Sequence, residues 1–355
     1  MTNTETSASL TIASSSKTLA GEPKRRTGMA RLLLSRDATM IYLLLGTVIL
    51  FSAFVPRFAS PVTVGFLLLD VIPVLLIAMP MTLIVITGEI DLSVASIAGL
   101  TSASLGVMWG AGFDMPVAIG LSIIIGLVAG AFNGVLISFV GLPSLAVTIG
   151  TLALFRGLAL VVIGDNAVAN FPPEYNAFFT SKLGATGIPT VMIGVVLIIA
   201  IFGVLLHFTP FGRGLYAMGY SKEAANFVGI DVLKSKFWLF VASGGVSALA
   251  GVYWTLRYSS ARSDNASGLE LTVVAAVLLG GVSIFGGKGS IPGVFAGVML
   301  IGTINYALRL GRVSDVVLII VTGALLIASV VAPSIGAAIK RIAHDRRIRK
   351  ELPGS

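Results

Sequence analysis

The sequence predicts an all-α protein that threads a membrane about ten times and keeps both termini on the cytoplasmic side. Three observations carry that expectation. Hydrophobic residues make up 56% of the chain and charged residues 11%, with a mean hydropathy of +0.99, which leaves too little polar surface to cover a soluble domain. Apolar runs recur along nearly the whole length, each near the roughly 20 residues a helix needs to cross about 30 Å of hydrocarbon, whereas barrel strands would alternate polar and apolar positions. The 41 glycines suit helices that must approach closely in lipid, where no hydrophobic drive brings them together.

In chain order, residues 1–36 read as a disordered basic tail. The stretch Met1–Gly28 is rich in Ser and Thr and ends on Lys24, Arg25 and Arg26. It is not a cleaved signal peptide, because Met40–Phe54 runs on towards Arg57 without a small-residue cleavage site. Residues 37–335 form the membrane domain, with spans expected at 39–56, 66–86, 92–110, 116–138, 144–163, 188–208, 237–256, 271–285, 292–309 and 315–333. Residues 336–355 form a second basic tail. Leu67–Trp109 is about twice the length one helix needs, and Gly88–Asp91 is its only polar candidate for a turn.

Orientation follows from Lys and Arg. With the amino terminus inside, 17 of the 24 cations lie in cytoplasmic segments and six in outer ones, and Arg156 alone falls within a span. The net charge of +8 is then anchoring charge beside anionic headgroups, and no nucleic-acid partner is needed to explain it. A weak echo links Ser96-Ile97-Ala98-Gly99 with Ser290-Ile291-Pro292-Gly293 on the same side. Internal duplication and the plain reuse of Gly and Ser in tight hairpins both account for it.

The absence of cysteine excludes disulfides, thiol nucleophiles and thiolate metal sites. No His, Asp, Ser or metal-ligand constellation converges in the sequence, since His207 and His344 stand alone, which speaks against a membrane enzyme. Gly286–Ser290, "GGKGS", imitates a phosphate loop. Gly289 follows Lys288 where Ser or Thr belongs, Val282 replaces the first glycine, and no strand precedes it, so it reads as a cytoplasmic turn.

The most informative soluble segment is Phe211–Lys236, "FGRGLYAMGYSKEAANFVGIDVLKSK", too long for a turn and too short for a domain. Ser221 can cap a short helix with Glu223 in its first turn, and Gly229 can close it. Ala224 and Ala225 give that helix a flat face for another protein. Either it docks a partner or it is an interfacial helix that joins two spans.

"TGEIDLSVASIAGLTSA", "GLPSLAVTIGTLALFRGLALV", "FGRGLYAMGYSKEAANFVGI" and "SARSDNASGLELTVVAAVLLGGVSIFGGKGSIPGVFAGVML" resemble, in order and spacing, the permease subunits of ribose-type ATP-binding-cassette sugar importers. The resemblance runs from about Leu67 to Ala332 and looks nearest to rhamnose and autoinducer-2 permeases. It implies a coupling helix over Gly219, Tyr220, Ser221, Glu223, Ala224, Ala225, Gly229 and Ile230, seated in a cleft of a separate ATPase subunit. It also implies a periplasmic sugar-binding protein on the opposite face and a second identical or homologous permease. ATP and Mg would belong to the ATPase, and this chain would bind no cofactor of its own. The family commonly has Gly where Glu89 and Ala95 stand here, and a carboxylate where Thr272 stands.

Six residues are candidates for the pathway or a gate: Glu89, Asp91, Ser93, Asn133, Arg156 and Asn305. Asp91 precedes an apolar helix, where a carboxylate accepts from free backbone N–H groups and meets the positive dipole end. Glu89 lies outside that helix and is free to meet water, Lys288 or the ATPase. Arg156 must either snorkel to an interface or face a water-filled path. Asn133, Ser144, Thr148, Thr151, Asn305 and Tyr306 are polar groups that serve equally as glue between helices. The expected function is passage of a monosaccharide, rhamnose or another pentose- or hexose-like sugar, through the bacterial inner membrane. The rival is a proton-coupled secondary transporter that uses Glu89 and Asp91.

Overall fold

The computed structural model describes residues 35–331, so the expectations for most of the two basic tails, His344 included, lie outside the described residues. The membrane helices are α1 (Arg36–Phe54), α2 (Pro61–Ile86), α3 (Val94–Gly110), α4 (Met115–Ser138), α5 (Ser144–Ile163), α7 (Met192–Phe208), α10 (Val232–Tyr258), α11 (Leu269–Leu279), α12 (Ile291–Leu310) and α13 (Asp315–Val331). Between them lie α6 (Pro173–Thr180) on the outer side, and α8 (Pro210–Tyr220) and α9 (Lys222–Phe227) on the cytoplasmic side.

These ten apolar helices fall on the ten expected spans, but they are unequal. Six are long and apolar enough to cross by themselves, α7 qualifies as a bent pair with α8, and α3, α11 and α13 are shorter. Ser35 accepts from the Ala38 N–H and opens α1 at Arg36. The largest correction concerns the span expected over 271–285. It stops at Leu279, because Gly280 and the left-handed Gly281 (φ +93°) cannot hold the helix together. At 1.5 Å per residue its 11 residues cover about half of the hydrocarbon. Residues 259–268, an irregular segment between α10 and α11, reach the depth of Arg156 in α5, whose guanidinium donates to the Ser263 and Asn265 carbonyls.

Non-helical backbone at that depth has to be satisfied by protein. Asn265 donates to Ser102 Oγ at 2.8 Å and to the Ser260 carbonyl, Thr255 donates to Ser102 at 2.6 Å, and Ala261 pairs with Val168 of the outer loop.

The centre of the bundle is α2, buried without interruption from Val71 to Ile86, with α10, α12, α11 and α7 against it. Helices α4 and α10 meet through a glycine seam in which Gly126 and Gly130 face Gly244 across a backbone-to-backbone contact. A Cβ on Gly244 would fall on the Gly126 carbonyl and the Gly130 Cα. With no hydrophobic drive between helices, that closeness supplies dispersion contacts that larger side chains would prevent. Helix α1 differs from the rest: none of its apolar stretch is buried, and it rests mainly on α12.

Candidate functional site: a cytoplasmic joint and an outer cavity

Two groups of residues stand out, one at each end of the bundle. The cytoplasmic group begins at Thr209, whose hydroxyl accepts from the Gly212 N–H and donates to the Leu205 carbonyl. Pro210 follows as the first residue of α8, where its missing N–H costs nothing. The result is a 68° bend between α7 and α8. The segment expected as a loop from Phe211 is therefore helical up to Tyr220.

Ser221 then caps α9 by accepting from the Ala224 N–H at 3.1 Å, Glu223 sits in its first turn, and Gly229 closes it in a left-handed conformation (φ +84°). That part of the sequence reading holds. The flat-face expectation does not hold for Ala225, which is buried against its own chain while Ala224 is exposed. Gly219 is likewise an internal joint. A Cβ there would strike the Ile86 carbonyl and the Gly287 backbone, and Gly287 N–H donates to that same carbonyl at 2.8 Å. Ile230 closes α9 through its N–H to the Ala225 carbonyl and packs beside Gly214. The surface left free carries Tyr220, Phe227, Val228 and Phe285, with Phe227 92% exposed.

Glu89 joins this segment to the α2–α3 turn. Its Oε1 is 2.8 Å from Lys222 Nζ on α9 and 2.5 Å from Lys236 Nζ on α10. Its partner is thus neither Lys288 nor open water, as had been among the expectations. Burial pushes the Glu89 carboxyl up, yet the hydrogen bonds from Lys222 and Lys236 outweigh it and hold the group below the ordinary carboxylate value. For Lys222, burial pulls the ammonium down and the bond to Glu89 lifts it above its usual value.

Asp91 is fully buried: one oxygen accepts from Ser93 N–H at 3.0 Å and Ser93 Oγ at 2.6 Å, and the other accepts from Ser243 of α10 at 2.8 Å. Asn133 of α4 donates to Ser93 Oγ at 2.8 Å. Ser144 accepts from the Ile90 N–H and Thr148 donates to the Ile90 carbonyl. Asp91, Ser93, Asn133, Ser144 and Thr148 therefore bind α3, α4, α5 and α10 to the turn, as glue. Asp91, Ser93 and Asn133, carried as pathway or gate candidates, are fully buried among these contacts.

Arg156 is half-buried and is held by protein acceptors. It lies about 18 Å along α5 from its cytoplasmic end, and its guanidinium donates to the Ser263 and Asn265 carbonyls at 2.7 and 2.8 Å, with a weaker contact to the Ala95 carbonyl at 3.4 Å. One planar fork thus ties the irregular segment to α5 and α3. Arg156→Lys, which keeps the charge but cannot span these acceptors, is expected to cost about 2 kcal/mol, read as earlier thermal inactivation of the purified permease. A variant with unchanged inactivation would remove this anchoring role.

The outer group surrounds a cavity of about 270 Å³ between α2, α10, α11 and α12. Asn305 and Tyr306 line it, as does Thr272. The residue that sequence reasoning missed is Asp70, nine residues into α2, which pairs with Arg257 of α10 and lies 3.6 Å from Arg309 of α12. Arg309 in turn is 3.7 Å from Asp315. The signal was available: Asp70 is a lone carboxylate in the apolar run LLLDVIPV, and an ionisable residue inside a span calls for a named partner.

Comparisons with known proteins identify the family. A family model described as "Branched-chain amino acid transport system / permease component" matches residues 63–332. The chain is 32% identical over 311 residues to the autoinducer 2 import system permease protein LsrD of Klebsiella pneumoniae, covering 86% of this chain and 93% of that one. It is 39% identical over 283 residues to the ribose import permease protein RbsC of Bacillus subtilis, covering 80% and 88%. LsrD of Photorhabdus laumondii is 34% identical over 286 residues, covering 79% and 84%. No solved structure matches the chain. The chain belongs to this permease family, as a multi-pass inner-membrane subunit of a ribose-type ATP-binding-cassette importer whose ATP hydrolysis sits on a separate subunit.

Proposed function

We propose that the chain passes a small neutral hydroxylated molecule across the inner membrane, as one of two paired permeases driven by an ATPase that carries the ATP and Mg. A monosaccharide is the leading substrate class, and rhamnose, ribose and autoinducer 2 are the candidates to test. The names of the relatives, an autoinducer 2 importer and a ribose importer, support the class. A periplasmic binding protein selects the cargo and delivers it to the outer face.

The observation that carries this reading is the joint at Glu89. Lys222 on the exposed α9 and Lys236 at the start of α10 share one carboxylate in the α2–α3 turn. A displacement of α9 by a bound ATPase therefore reaches two central helices through one half-exposed ion pair, Lys222–Glu89, and one buried pair, Lys236–Glu89. Tyr220, Phe227, Val228 and Phe285 supply the apolar contact surface for that subunit, with Gly219, Ala225 and Ile230 holding it in shape and Ser221, Glu223, Ala224 and Gly229 shaping α9. When ATP draws two such segments together, the paired permeases rock between outward and inward states.

The proton-coupled alternative is not favoured by the relatives, and the geometry of its two carriers argues against it. Asp91 has no exposed surface, and Glu89 is held ionised by two lysines. The sign is definite. A carboxyl whose folded value is depressed keeps its ion pairs at every pH above the ordinary value of 4.5 and loses them only as pH falls through its own lower value.

Uptake by the full importer in proteoliposomes is therefore expected to need ATP and to show no titration of Glu89 between pH 5 and pH 8. Purified permease alone is expected to show no uptake of ribose, rhamnose or autoinducer 2 under an imposed pH gradient. Gradient-driven uptake without the ATPase would overturn the reading.

A further inference from the structure

The outer cavity is more than a gap between helices. We infer that it is a substrate subsite within the permease itself, one that takes a neutral polyhydroxylated molecule of pentose size on its way from the binding protein. The inference deepens the proposed function and rests on it.

Four observations converge. The cavity lies between α2, α10, α11 and α12, so four helices contribute to one chamber instead of closing against one another. Its volume of about 270 Å³ equals the share of roughly nine water molecules, and a pentose has about ten non-hydrogen atoms. Its lining combines apolar and aromatic walls with a few polar groups: Trp254 and Tyr306 provide broad ring surface, and Asp70, Arg257, Asn305 and Thr272 provide acceptors and donors. That mixture is what a site for a small hydroxylated ligand needs. Finally, the side-chain oxygen of Asn305 is buried and has no hydrogen-bond partner, and its nitrogen reaches Thr322 only at 3.5 Å. An amide held that loosely can turn its donors and acceptor towards a hydroxyl in the chamber it lines.

Charge decides the class of ligand. Asp70 is matched by Arg257 and Arg309, and Arg309 also meets Asp315. No unbalanced charge is left to attract an ion of either sign, while the carboxylate and guanidinium edges still accept and donate to hydroxyls. Tyr258 and Arg309 at the outer ends of their helices are exposed, so the chamber is reached from the side on which cargo arrives.

The test uses the full-length permease in lipid nanodiscs, titrated with D-ribose and with L-rhamnose and followed by saturation-transfer NMR. Saturable binding of at least one sugar is expected, weakened at least tenfold by Asn305→Leu and by Thr272→Val. The second substitution removes one hydroxyl at nearly constant volume and so guards against a folding defect in the first. The same preparations are then assembled with the ATPase and the loaded binding protein, and sugar uptake is measured. Wild-type uptake together with sugar binding that neither substitution changes, or with no saturable binding, overturns the subsite and leaves the proposed function standing. A wild-type importer that moves no hydroxylated substrate overturns both.

Discussion

Gly244→Val is expected to leave little folded permease in the membrane. The seam between α4 and α10 brings backbone against backbone, and any Cβ at this position meets the Gly126 carbonyl and the Gly130 Cα and nitrogen, none of which can rotate away. The helices would have to separate, losing the dispersion contacts that hold them in lipid. Overpacking usually costs 1 to 3 kcal/mol where side chains can adjust, so a rigid contact of this kind is expected to cost about 3 kcal/mol or more. Monodisperse yield after extraction and the thermal inactivation temperature are the measurements. Gly120→Val, on the facing helix α4, is the control: nothing lies within 4 Å of its Cβ position, and near-normal yield is expected. Normal yield of Gly244→Val would show that the seam is looser than described.

Glu89→Ala is the second large effect. Removing the carboxylate leaves Lys236, whose side chain is only 11% exposed, beside Lys222 with no counter-charge. Breaking a buried pair in this one-sided way costs about 3 to 5 kcal/mol. Since α9 is held to the α2–α3 turn through this carboxylate, ATP-driven uptake is expected to fall at least tenfold in the assembled importer. Lys236→Met in the Glu89→Ala background removes the orphaned ammonium and is expected to recover stability without recovering uptake. Recovery of both would make Glu89 a merely structural residue, and unchanged uptake in the single variant would remove the joint from the coupling route.

Those two sites show what a sequence does and does not reveal about such a protein. The ten apolar stretches were legible because lipid demands a length, and a length can be counted along the chain. The break at Gly88–Asp91 was legible for the same reason, since no single helix suits Leu67–Trp109. Ser221, Glu223 and Gly229 announced α9 because capping is local chemistry. The partners of Glu89 were not legible. Lys222 lies 133 positions away, and only the 68° bend at Thr209–Pro210 brings it to the α2–α3 turn.

The shortness of α11 was hidden by composition. Val282, Ile284 and Phe285 look apolar enough to continue a span, and the left-handed glycines around them decide otherwise. Arg156 was visible as an anomaly, but its acceptors are backbone carbonyls, which carry no signature in the sequence. Asp70 was overlooked although its setting marked it, and it proved to be the centre of the outer cavity's charge balance.

The outlying position of α1 has a consequence for how the protein is made. Its main support is α12, which begins 237 residues after α1 ends, from Phe54 to Ile291. At ribosomal speeds of about 5 to 20 residues per second, the first helix waits roughly 12 to 47 s for its neighbour to emerge. During that interval the bilayer alone must keep it in place, which explains why the exposed sides of this helix carry Tyr42, Leu45, Ile49 and Leu50 with no charged residue among them.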